Sequence, residues 1–252
     1  MATAGELAGK VALITGGARN IGRAISLALG AAGAVVVVNA NSSRDEAEQT
    51  VATIRAAGGR AALHLADVTD AKAVAAMVAA AVGEFGRLDI LVNNAAIRAE
   101  TPFAEMKLDE WRRVLSTVLD GAFLCAQACL PHIVGAGGGS IVNIGGLSAH
   151  TGAQGRAHVV AAKAGLVGLT RALAHELAPN GITVNCVVPG TIETLRGLAG
   201  APERPAHRPG LPPVGRRGEP DEVAAAVRFL CGPGARYITG QSLHVNGGGF
   251  MA

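Results

Sequence analysis

Short apolar runs rich in valine and isoleucine alternate along the chain with longer, alanine-rich stretches of helical period. The short runs are typical of buried parallel strands, and the longer stretches are typical of the helices that connect such strands. Seven strands are predicted, near Lys10–Thr15, Ala34–Asn39, Ala61–Ala66, Leu88–Asn93, Ser140–Ile144, Thr183–Val188 and Gln241–Val245. Six helices are predicted between them, near Ile21–Ala32, Arg44–Ala57, Ala71–Phe85, Leu108–Val134, Ala157–Ala178 and Pro220–Leu230.

This alternation predicts an α/β fold built on one doubly wound parallel sheet of Rossmann type, with helices on both faces. Right-handed crossovers would then place a ligand at the carboxyl ends of the strands. No linker divides the pattern, so residues 1–252 are predicted to form a single domain.

One segment, residues 195–217, departs from the pattern. Five of the 11 prolines lie between Pro202 and Pro213, which excludes a continuous helix there. Because the segment follows the sixth strand, we interpret it as a substrate lid over the carboxyl edge of the sheet, with a plain surface loop as the alternative. Its Arg204 and Arg208 would attract a carboxylate or phosphate of the substrate, unless they are simply solvated charges.

The composition of the chain argues against several classes of protein. Half of the residues are apolar, 16% are charged and the net charge is +3, which excludes intrinsic disorder. The basic residues are scattered and aromatics are few, so no nucleic-acid partner is expected. With neither a leader-like start nor an uncharged apolar run of about 18 residues, no membrane association is expected, and the protein is predicted to be cytoplasmic.

The four cysteines include no CxxC pair, so they are predicted to be buried thiols in a reducing compartment. Cys125 and Cys129 lie one helical turn apart, but no further cysteine or histidine pair completes a ligand set, and no metal site is expected. Glu110 and its charged neighbours at the start of the long helix are interpreted as a solvated face that complements the helix dipole.

The first predicted strand runs directly into the segment Thr15–Gly22, which contains three glycines, and then into a helix. A glycine-rich turn of this kind lets the backbone approach a pyrophosphate, which free amides and the helix dipole then stabilise. The segment is therefore predicted to be a phosphate cradle. The alternative is that these glycines merely close a strand-to-helix turn.

The residues after the second strand indicate which nicotinamide nucleotide the site would bind. An NAD site usually has an acidic residue there that binds the ribose hydroxyls, but no acidic residue lies between the second predicted strand and Asp45. Arg19 and Arg44 supply positive charge for a 2′-phosphate, and Ser42 and Ser43 supply hydrogen-bond donors. NADP(H) is therefore favoured over NAD(H), unless Arg44 only begins a solvated helix face.

Several further motifs follow in order. They are Asp67-Val68 after the third strand, Asn93–Ala96 after the fourth, Lys163-Ala164-Gly165, Pro189-Gly190 after the sixth, and Tyr237–Gln241 before the last. Together with the glycine turn, they resemble the short-chain dehydrogenase/reductase family over nearly the whole chain, in particular the relatives of ketoacyl-carrier-protein reductase. The chain departs from the family at two positions, where Asn20 and Ala96 stand in place of glycines. Both changes are mild, because asparagine tolerates a left-handed backbone and alanine is small.

The resemblance implies which residues contact the cofactor. The predicted set is Gly16, Ala18, Arg19, Asn20, Ile21, Gly22, Asn41, Ser42, Arg44, Asp67, Val68, Asn94, Ala95, Ala96, Ile144, Lys163, Pro189, Gly190, Ile192 and Thr194. It also implies a homo-oligomer, a tetramer or a dimer, built on the long fourth and fifth helices.

The resemblance also implies a catalytic set of asparagine, serine, tyrosine and, four residues after the tyrosine, lysine. Carried onto this chain, the lysine is Lys163, while the other three positions hold Val118, Gly146 and Val159. The only tyrosine is Tyr237, which belongs to another motif. Losing a general acid typically lowers the rate by roughly 10²–10⁴, so ordinary carbonyl reduction is expected to be slow.

Replacement proton donors are available nearby. Ser148 and His150 follow Gly146 on the loop that leaves the fifth strand. His158 precedes Val159, but neighbouring helical residues diverge by about 100°, so it does not share the direction of Val159. The candidates are therefore Ser148, His150, His158 and an ordered water.

Three functions remain open on the sequence. The first is an NADP(H)-dependent oxidoreductase that acts on a carbonyl or alcohol of a small, possibly anionic molecule with an unusual proton donor. The second is a cofactor-binding pseudoenzyme, and the third is a non-redox lyase or isomerase on the same fold. Val159 and Gly146 favour the second and third, while Lys163, Pro189-Gly190 and Thr194 favour the first.

Overall fold

The computed structural model describes residues 5–194 and 210–251. Its seven strands are β1 (Val11–Ile14), β2 (Val35–Ala40), β3 (Ala61–Leu65), β4 (Ile90–Asn93), β5 (Gly139–Ile144), β6 (Ile182–Pro189) and β7 (Ser242–Val245). All pairings are parallel, in the order β3-β2-β1-β4-β5-β6-β7. The predicted single doubly wound sheet is confirmed.

The α-helices lie between the strands. They are α1 (Asn20–Ala31), α2 (Arg44–Ala56), α3 (Ala71–Phe85), α4 (Leu108–Leu115), α5 (Gly121–Gly135), α6 (Ser148–Thr151), α7 (Ala157–Leu177) and α8 (Pro220–Cys231). Short 3₁₀ turns occur at Phe103–Glu105, Ala178–Asn180 and Pro233–Ala235.

The core consists of two apolar layers, one on each face of the sheet. Alternation along β1 places Ala12 and Ile14 in one layer and Val11 and Leu13 in the other. Helices α1, α2 and α8 cover the first layer, and α3, α5 and α7 cover the second. Because both faces are covered, the strands read as continuous apolar runs, which explains why the sequence pattern located them.

The predicted long helix Leu108–Val134 is interrupted. Between α4 and α5 the backbone forms a π-helical turn at Ser116–Asp120, which carries Val118. The short helix α6 also occupies what we expected to be a loop, so Ser148 and His150 lie on a helical turn. Both differences fall beside the candidate site, where π turns are often found.

Two helical stretches, Leu108–Gly135 and Ala157–Asn180, are long and apolar enough to cross a membrane by composition alone. Both bury side chains against the sheet, among them Ile133 and Leu166. Their apolar character is therefore accounted for, at least in part, by the core of this fold.

All four cysteines are buried free thiols, as predicted. Cys125 and Cys129 face the core from α5, and burial raises the pKa of Cys125 to about 12. Among the residues that the structure describes, no cluster of three metal-ligating side chains occurs.

A buried carboxylate fixes the amino-terminal end of the central strands. The Asp89 side chain, 1% exposed, accepts hydrogen bonds from Lys10 Nζ at 2.9 Å, from the Val11 amide at 3.0 Å and from two nitrogens of Arg87 at 2.6 and 2.8 Å. Burial alone would raise the pKa of Asp89, but the bonds from Arg87, Lys10 and Val11 outweigh it and hold the pKa below its usual value.

Candidate active site

The glycine turn between β1 and α1 is a tight backbone cradle. Gly16 has φ +60°, and a Cβ on Gly22 would lie only 2.1 Å from the Gly16 carbonyl oxygen. Asn20 has φ +50° and is the one non-glycine residue with positive φ in the described part of the chain. Asparagine tolerates this left-handed conformation better than most residues, so it replaces a glycine here at small energetic cost.

The start of α1 has the features of an anion site. Its N-cap, Arg19, makes no side-chain cap, and its first turn contains no acidic residue. No side-chain cap therefore competes with an anion at this helix start, where the helix dipole favours negative charge. These observations fit a pyrophosphate, and they agree with the predicted contacts of Ala18, Ile21 and Gly22.

Asn94, after β4, braces this cradle. Its side-chain Nδ2 donates to the carbonyls of Thr15 at 2.9 Å and of Gly16 at 3.0 Å. Its own amide and that of Ala95 donate to Thr15 Oγ1, at 2.9 and 3.0 Å. The glycine turn and the predicted Asn94–Ala96 motif therefore form one hydrogen-bonded unit at the carboxyl edge of the sheet.

The residues that follow β2 lie at the same edge. Arg19 and Arg44 are both largely exposed, with loose ion pairs to Glu46 at 3.8 Å and to Glu48 at 3.4 Å. The second pairing is of the kind expected if Arg44 only belongs to a solvated helix face, so it does not decide between the alternatives. No acidic side chain lies between β2 and α2, and Arg44 is the first charged residue after the end of β2.

The predicted adenine contact, Asp67-Val68, is well ordered by local bonds. The Asp67 carboxylate accepts from the Thr69 amide at 2.9 Å, from Thr69 Oγ1 at 2.8 Å and from Asn41 Nδ2 at 3.2 Å. The Thr69 bonds hold the pKa of Asp67 below its usual value. Val68 is buried against Gly121, where a Cβ would lie 2.8 Å from Val68 Cγ2.

Lys163, one of the predicted catalytic residues, is buried under the carboxyl ends of β5 and β6. Its Nζ donates to the Ile144 carbonyl at 2.5 Å, and its side chain is 8% exposed. Gly146 lies beside it, since a Cβ there would meet only Lys163 Cγ, at 3.9 Å. The Leu147 amide donates to the Pro189 carbonyl, which joins this loop to the predicted Pro189-Gly190 motif.

Val118 and Val159, which occupy two of the predicted polar positions, pack together in a third apolar cluster. Val118 is 2% exposed, and Val159 is partly buried and packs against the same cluster. The cluster is separate from the two sheet layers and is completed by Val114, Ala122, Ala162, Leu166 and partly buried neighbours. This corner of the candidate site is therefore lined by apolar side chains.

The candidate proton donors lie in different surroundings. The His150 ring packs against His244 and Phe250, with centroids 4.6 and 5.3 Å away, and its buried Nε2 has no hydrogen-bond partner among the described residues. Burial, followed by the nearby His150, lowers the pKa of His244. Ser148 begins α6 and is partly buried.

His158 is fully buried and bonded on both ring nitrogens. Its Nε2 lies 3.2 Å from Glu110 Oε1, so the interpretation of Glu110 as a merely solvated charge is wrong. Glu110 and His158 belong to different helices, and no periodicity in the sequence indicates that they meet. The pair is therefore visible only in the folded structure.

The predicted lid falls largely outside the described residues, since residues 195–209, with Arg204 and Arg208, are not described. The two chain segments that flank it are joined. Ile192 forms a parallel bridge with Gly218, whose amide donates to the Thr191 carbonyl at 3.0 Å and whose carbonyl accepts from the Glu193 amide at 2.8 Å. Thr194 follows directly after this clamp.

A parallel sheet in this strand order, with a glycine cradle at its carboxyl edge and a buried lysine two strands away, defines a dinucleotide-binding oxidoreductase fold. The family model described as enoyl-(acyl carrier protein) reductase matches residues 16–249. The chain belongs to the short-chain dehydrogenase/reductase family, a class of NAD(P)-dependent oxidoreductases.

Curated relatives carry the name 3-oxoacyl-[acyl-carrier-protein] reductase. The FabG protein of Staphylococcus aureus is 42% identical over 242 residues, which covers 96% of this chain and 98% of the relative. That of Vibrio cholerae is 41% identical over 246 residues, covering 98% and 99%.

Solved structures are similar over the same extent. A short-chain dehydrogenase from Burkholderia cenocepacia in complex with NADP has a TM-score of 0.89 and 38% identity, covering 97% of this chain and 99% of that one. A short-chain dehydrogenase/reductase from Serratia marcescens has a TM-score of 0.90 and 38% identity, with the same coverage.

Proposed function

We propose that this protein is an NADP(H)-dependent oxidoreductase that acts on the carbonyl or alcohol of a small molecule without the tyrosine and serine of its family. The single observation that carries this proposal is the position of Lys163, buried beside Gly146 and bonded to the Ile144 carbonyl at the edge that also holds the glycine cradle. In this proposal Lys163 and the glycine cradle serve the nucleotide, and Gly146 and Val159 stand where the family has its serine and tyrosine.

Preference for NADP(H) is supported by charge. Arg19 and Arg44 lie beside the turn after β2, Ser42 adds a hydroxyl donor, and no carboxylate between β2 and α2 repels a 2′-phosphate. The relative from Burkholderia cenocepacia that binds NADP supports the same preference. Arg44→Ala should therefore weaken the binding of NADPH more than the binding of NADH.

For the proton, we favour a water molecule placed at Gly146. A Cβ at Gly146 meets only Lys163 Cγ, so the space that a serine side chain would take is open to water or to the substrate oxygen. When bound, the nicotinamide supplies or accepts the hydride. The Nζ–H groups of Lys163 would bind the ribose and orient this water, which passes a proton to the oxygen of the reduced carbonyl and regains one from the solvent.

The other candidate donors have less support. Both ring nitrogens of His158 are already bonded, and the ring is shielded from solvent. His150 packs against His244 and Phe250, and that contact favours a role in the wall of the site. Ser148 keeps a hydroxyl close to Gly146 in sequence and stays an alternative.

A cofactor-binding pseudoenzyme is the second candidate. It is favoured by the packing of Val118 and Val159 in one apolar cluster, which removes two polar groups together and leaves a dry wall. In that case nucleotide binding would serve regulation or assembly, and no turnover would occur.

One experiment separates the two. NADPH and NADH are titrated by fluorescence, and hydride transfer is measured against a panel of ketones that includes a 3-oxoacyl thioester. The variants are wild type, Lys163→Met, and Gly146→Ser combined with Val159→Tyr. Gly146→Ala combined with Val159→Phe is the matched control, because it adds similar volume without the hydroxyls.

We expect tight NADPH binding and slow wild-type turnover that Lys163→Met abolishes. Restoring both hydroxyls should raise the rate by roughly 10² or more, whereas the matched control should not. Wild-type turnover no higher than that of Lys163→Met, with activity only in the restored variant, would establish the pseudoenzyme instead. Failure of the wild type to bind either nucleotide would refute both.

Assembly and location complete the proposal. A homo-oligomer, tetramer or dimer, is supported by exposed apolar side chains along the α4–α5 stretch, where Leu108 is 57% and Phe123 is 49% exposed. We propose that the protein is cytoplasmic. Light scattering of the purified protein measures the oligomeric state directly.

A further inference from the structure

A chain of hydrogen bonds links three segments around the candidate site. Thr101 Oγ1, in the loop after β4, donates to Glu110 Oε1 on α4 at 2.8 Å. The same oxygen lies 3.2 Å from His158 Nε2 on α7. His158 Nδ1 is in turn 2.9 Å from the backbone nitrogen of Val159. The chain ends at the residue that occupies the tyrosine position of the family.

The geometry fixes the tautomer of His158. A backbone N–H only donates, so His158 Nδ1 accepts from Val159 and carries no proton. The neutral ring then has its proton on Nε2, which donates to the Glu110 carboxylate. The bonds from Thr101 and His158 hold the pKa of Glu110 below its usual value, so this acceptor stays charged near neutrality.

The bond to Val159 takes the place of a helix cap. The N-cap of α7, Arg156, makes no side-chain cap, and the first amides of a helix otherwise need outside partners. The preceding loop contains Gly152 and Gly155, both with positive φ. Without His158, the first turn of α7 would be tied to its surroundings by fewer bonds.

Two more contacts fasten the same segments together. The Thr101 amide donates to the Gly155 carbonyl at 2.8 Å, and Arg156 pairs with Glu100 at 3.0 Å. The loop after β4 and the residues just before α7 are therefore held together by several hydrogen bonds. Lys163 lies one helical turn after Val159 on the same side of α7, so a shift of the first turn is transmitted to it.

We propose that His158 and Glu110 are positioning residues for the active site, because they hold the first turn of α7 and, through it, Val159 and Lys163. This inference rests on the proposed function, since it concerns the same nucleotide site. His158 itself is fully buried and both its nitrogens are engaged, so it acts through Lys163 and not on the reacting atoms.

The test uses the full-length protein and NADPH as the probe. His158→Leu removes both bonds, His158→Gln keeps one donor and one acceptor, and Glu110→Ala removes the acceptor from a partly exposed site in case the leucine variant fails to fold. Met77→Ala is the control, because Met77 is buried in the core on α3 and is not one of the predicted cofactor contacts. The measurements are the NADPH Kd, the emission maximum of bound NADPH and Tm.

We expect His158→Leu and Glu110→Ala to raise the NADPH Kd by about fivefold or more and to shift the bound emission toward that of free NADPH. His158→Gln should recover most of both properties. Met77→Ala should lower Tm without changing the NADPH Kd or the emission maximum of bound NADPH, which separates positioning from general stability.

Two outcomes refute the inference in different ways. If wild type binds NADPH and both His158→Leu and Glu110→Ala bind it with unchanged Kd and emission, the inference is wrong and the proposed function stands. If wild type binds neither nucleotide, the proposed function fails and the inference fails with it.

Discussion

Replacing Gly22 by alanine should damage the cofactor cradle more than any other single methyl group added to it. The new Cβ would lie 2.1 Å from the Gly16 carbonyl oxygen, whereas such contacts are essentially never below 3.0 Å. The oxygen would have to retreat by about 0.9 Å, which also strains its bond from Asn94 Nδ2. The cradle cannot absorb such a shift locally, because Asn94 also bonds Thr15.

The magnitude follows from two opposing effects. Overpacking of this kind typically costs about 1–3 kcal/mol, while alanine gains about 0.5–1 kcal/mol over glycine inside a helix. The net loss of about 0–2.5 kcal/mol corresponds to a fall in Tm of up to roughly 10 °C for a chain of this size. Because the displaced carbonyl forms part of the cradle, the NADPH Kd should rise by at least about tenfold.

Thermal denaturation and fluorescence titration with NADPH measure both effects, with Gly83→Ala as the matched control. Gly83 also lies inside a helix, but no atom comes within 4 Å of its Cβ position, so this variant should be slightly more stable and bind normally. A Gly22→Ala protein that keeps both its Tm and its NADPH affinity would refute the steric argument.

Two further predictions concern stability. Asp89→Asn weakens the bonds from Lys10 and Arg87 and should lower the free energy of unfolding, measured by urea denaturation, by about 2–4 kcal/mol. Because folding lowers the pKa of Asp89, the stability that the carboxylate contributes is present above the unfolded pKa of about 3.9 and is lost as the pH falls below it. A wild-type advantage that persists unchanged at the lowest pH would contradict this assignment. Asp70→Ala removes the cap that accepts from the Lys72 and Ala73 amides of α3 and should cost about 1 kcal/mol, while Asp70→Asn should cost less; equal losses would show that the cap is not the cause.

Where structure is set by local chemistry, the sequence predicted it well. The bounds of α3 were predicted at Ala71–Phe85 and are found there, because Asp70 caps one end and Gly86, in the left-handed conformation, ends the other. The tight glycine turn between β1 and α1 was predicted for the same reason, while its binding of a cofactor stays a prediction.

Where structure depends on contacts between distant segments, the sequence was insufficient. The π turn around Val118 depends on packing against α7, and helical periodicity alone does not reveal it. The pairing of Glu110 with His158 joins α4 and α7, which are separated along the chain by α5, β5 and α6, so each residue alone reads as an ordinary polar side chain. The replacement of the family's hydroxyls was inferred by aligning motifs, and it stays a prediction until activity is measured.

The bridge between Ile192 and Gly218 has a consequence for engineering. Because this clamp fixes both ends of the intervening chain, the sheet need not depend on what that chain contains. Doubling the length of a loop costs only about 0.6 kcal/mol, so the chain between Ile192 and Gly218 should tolerate changes of length with little loss of stability. Chimeras that exchange this part of the chain at the clamp would test the predicted lid, since they should alter substrate choice and leave the NADPH Kd unchanged.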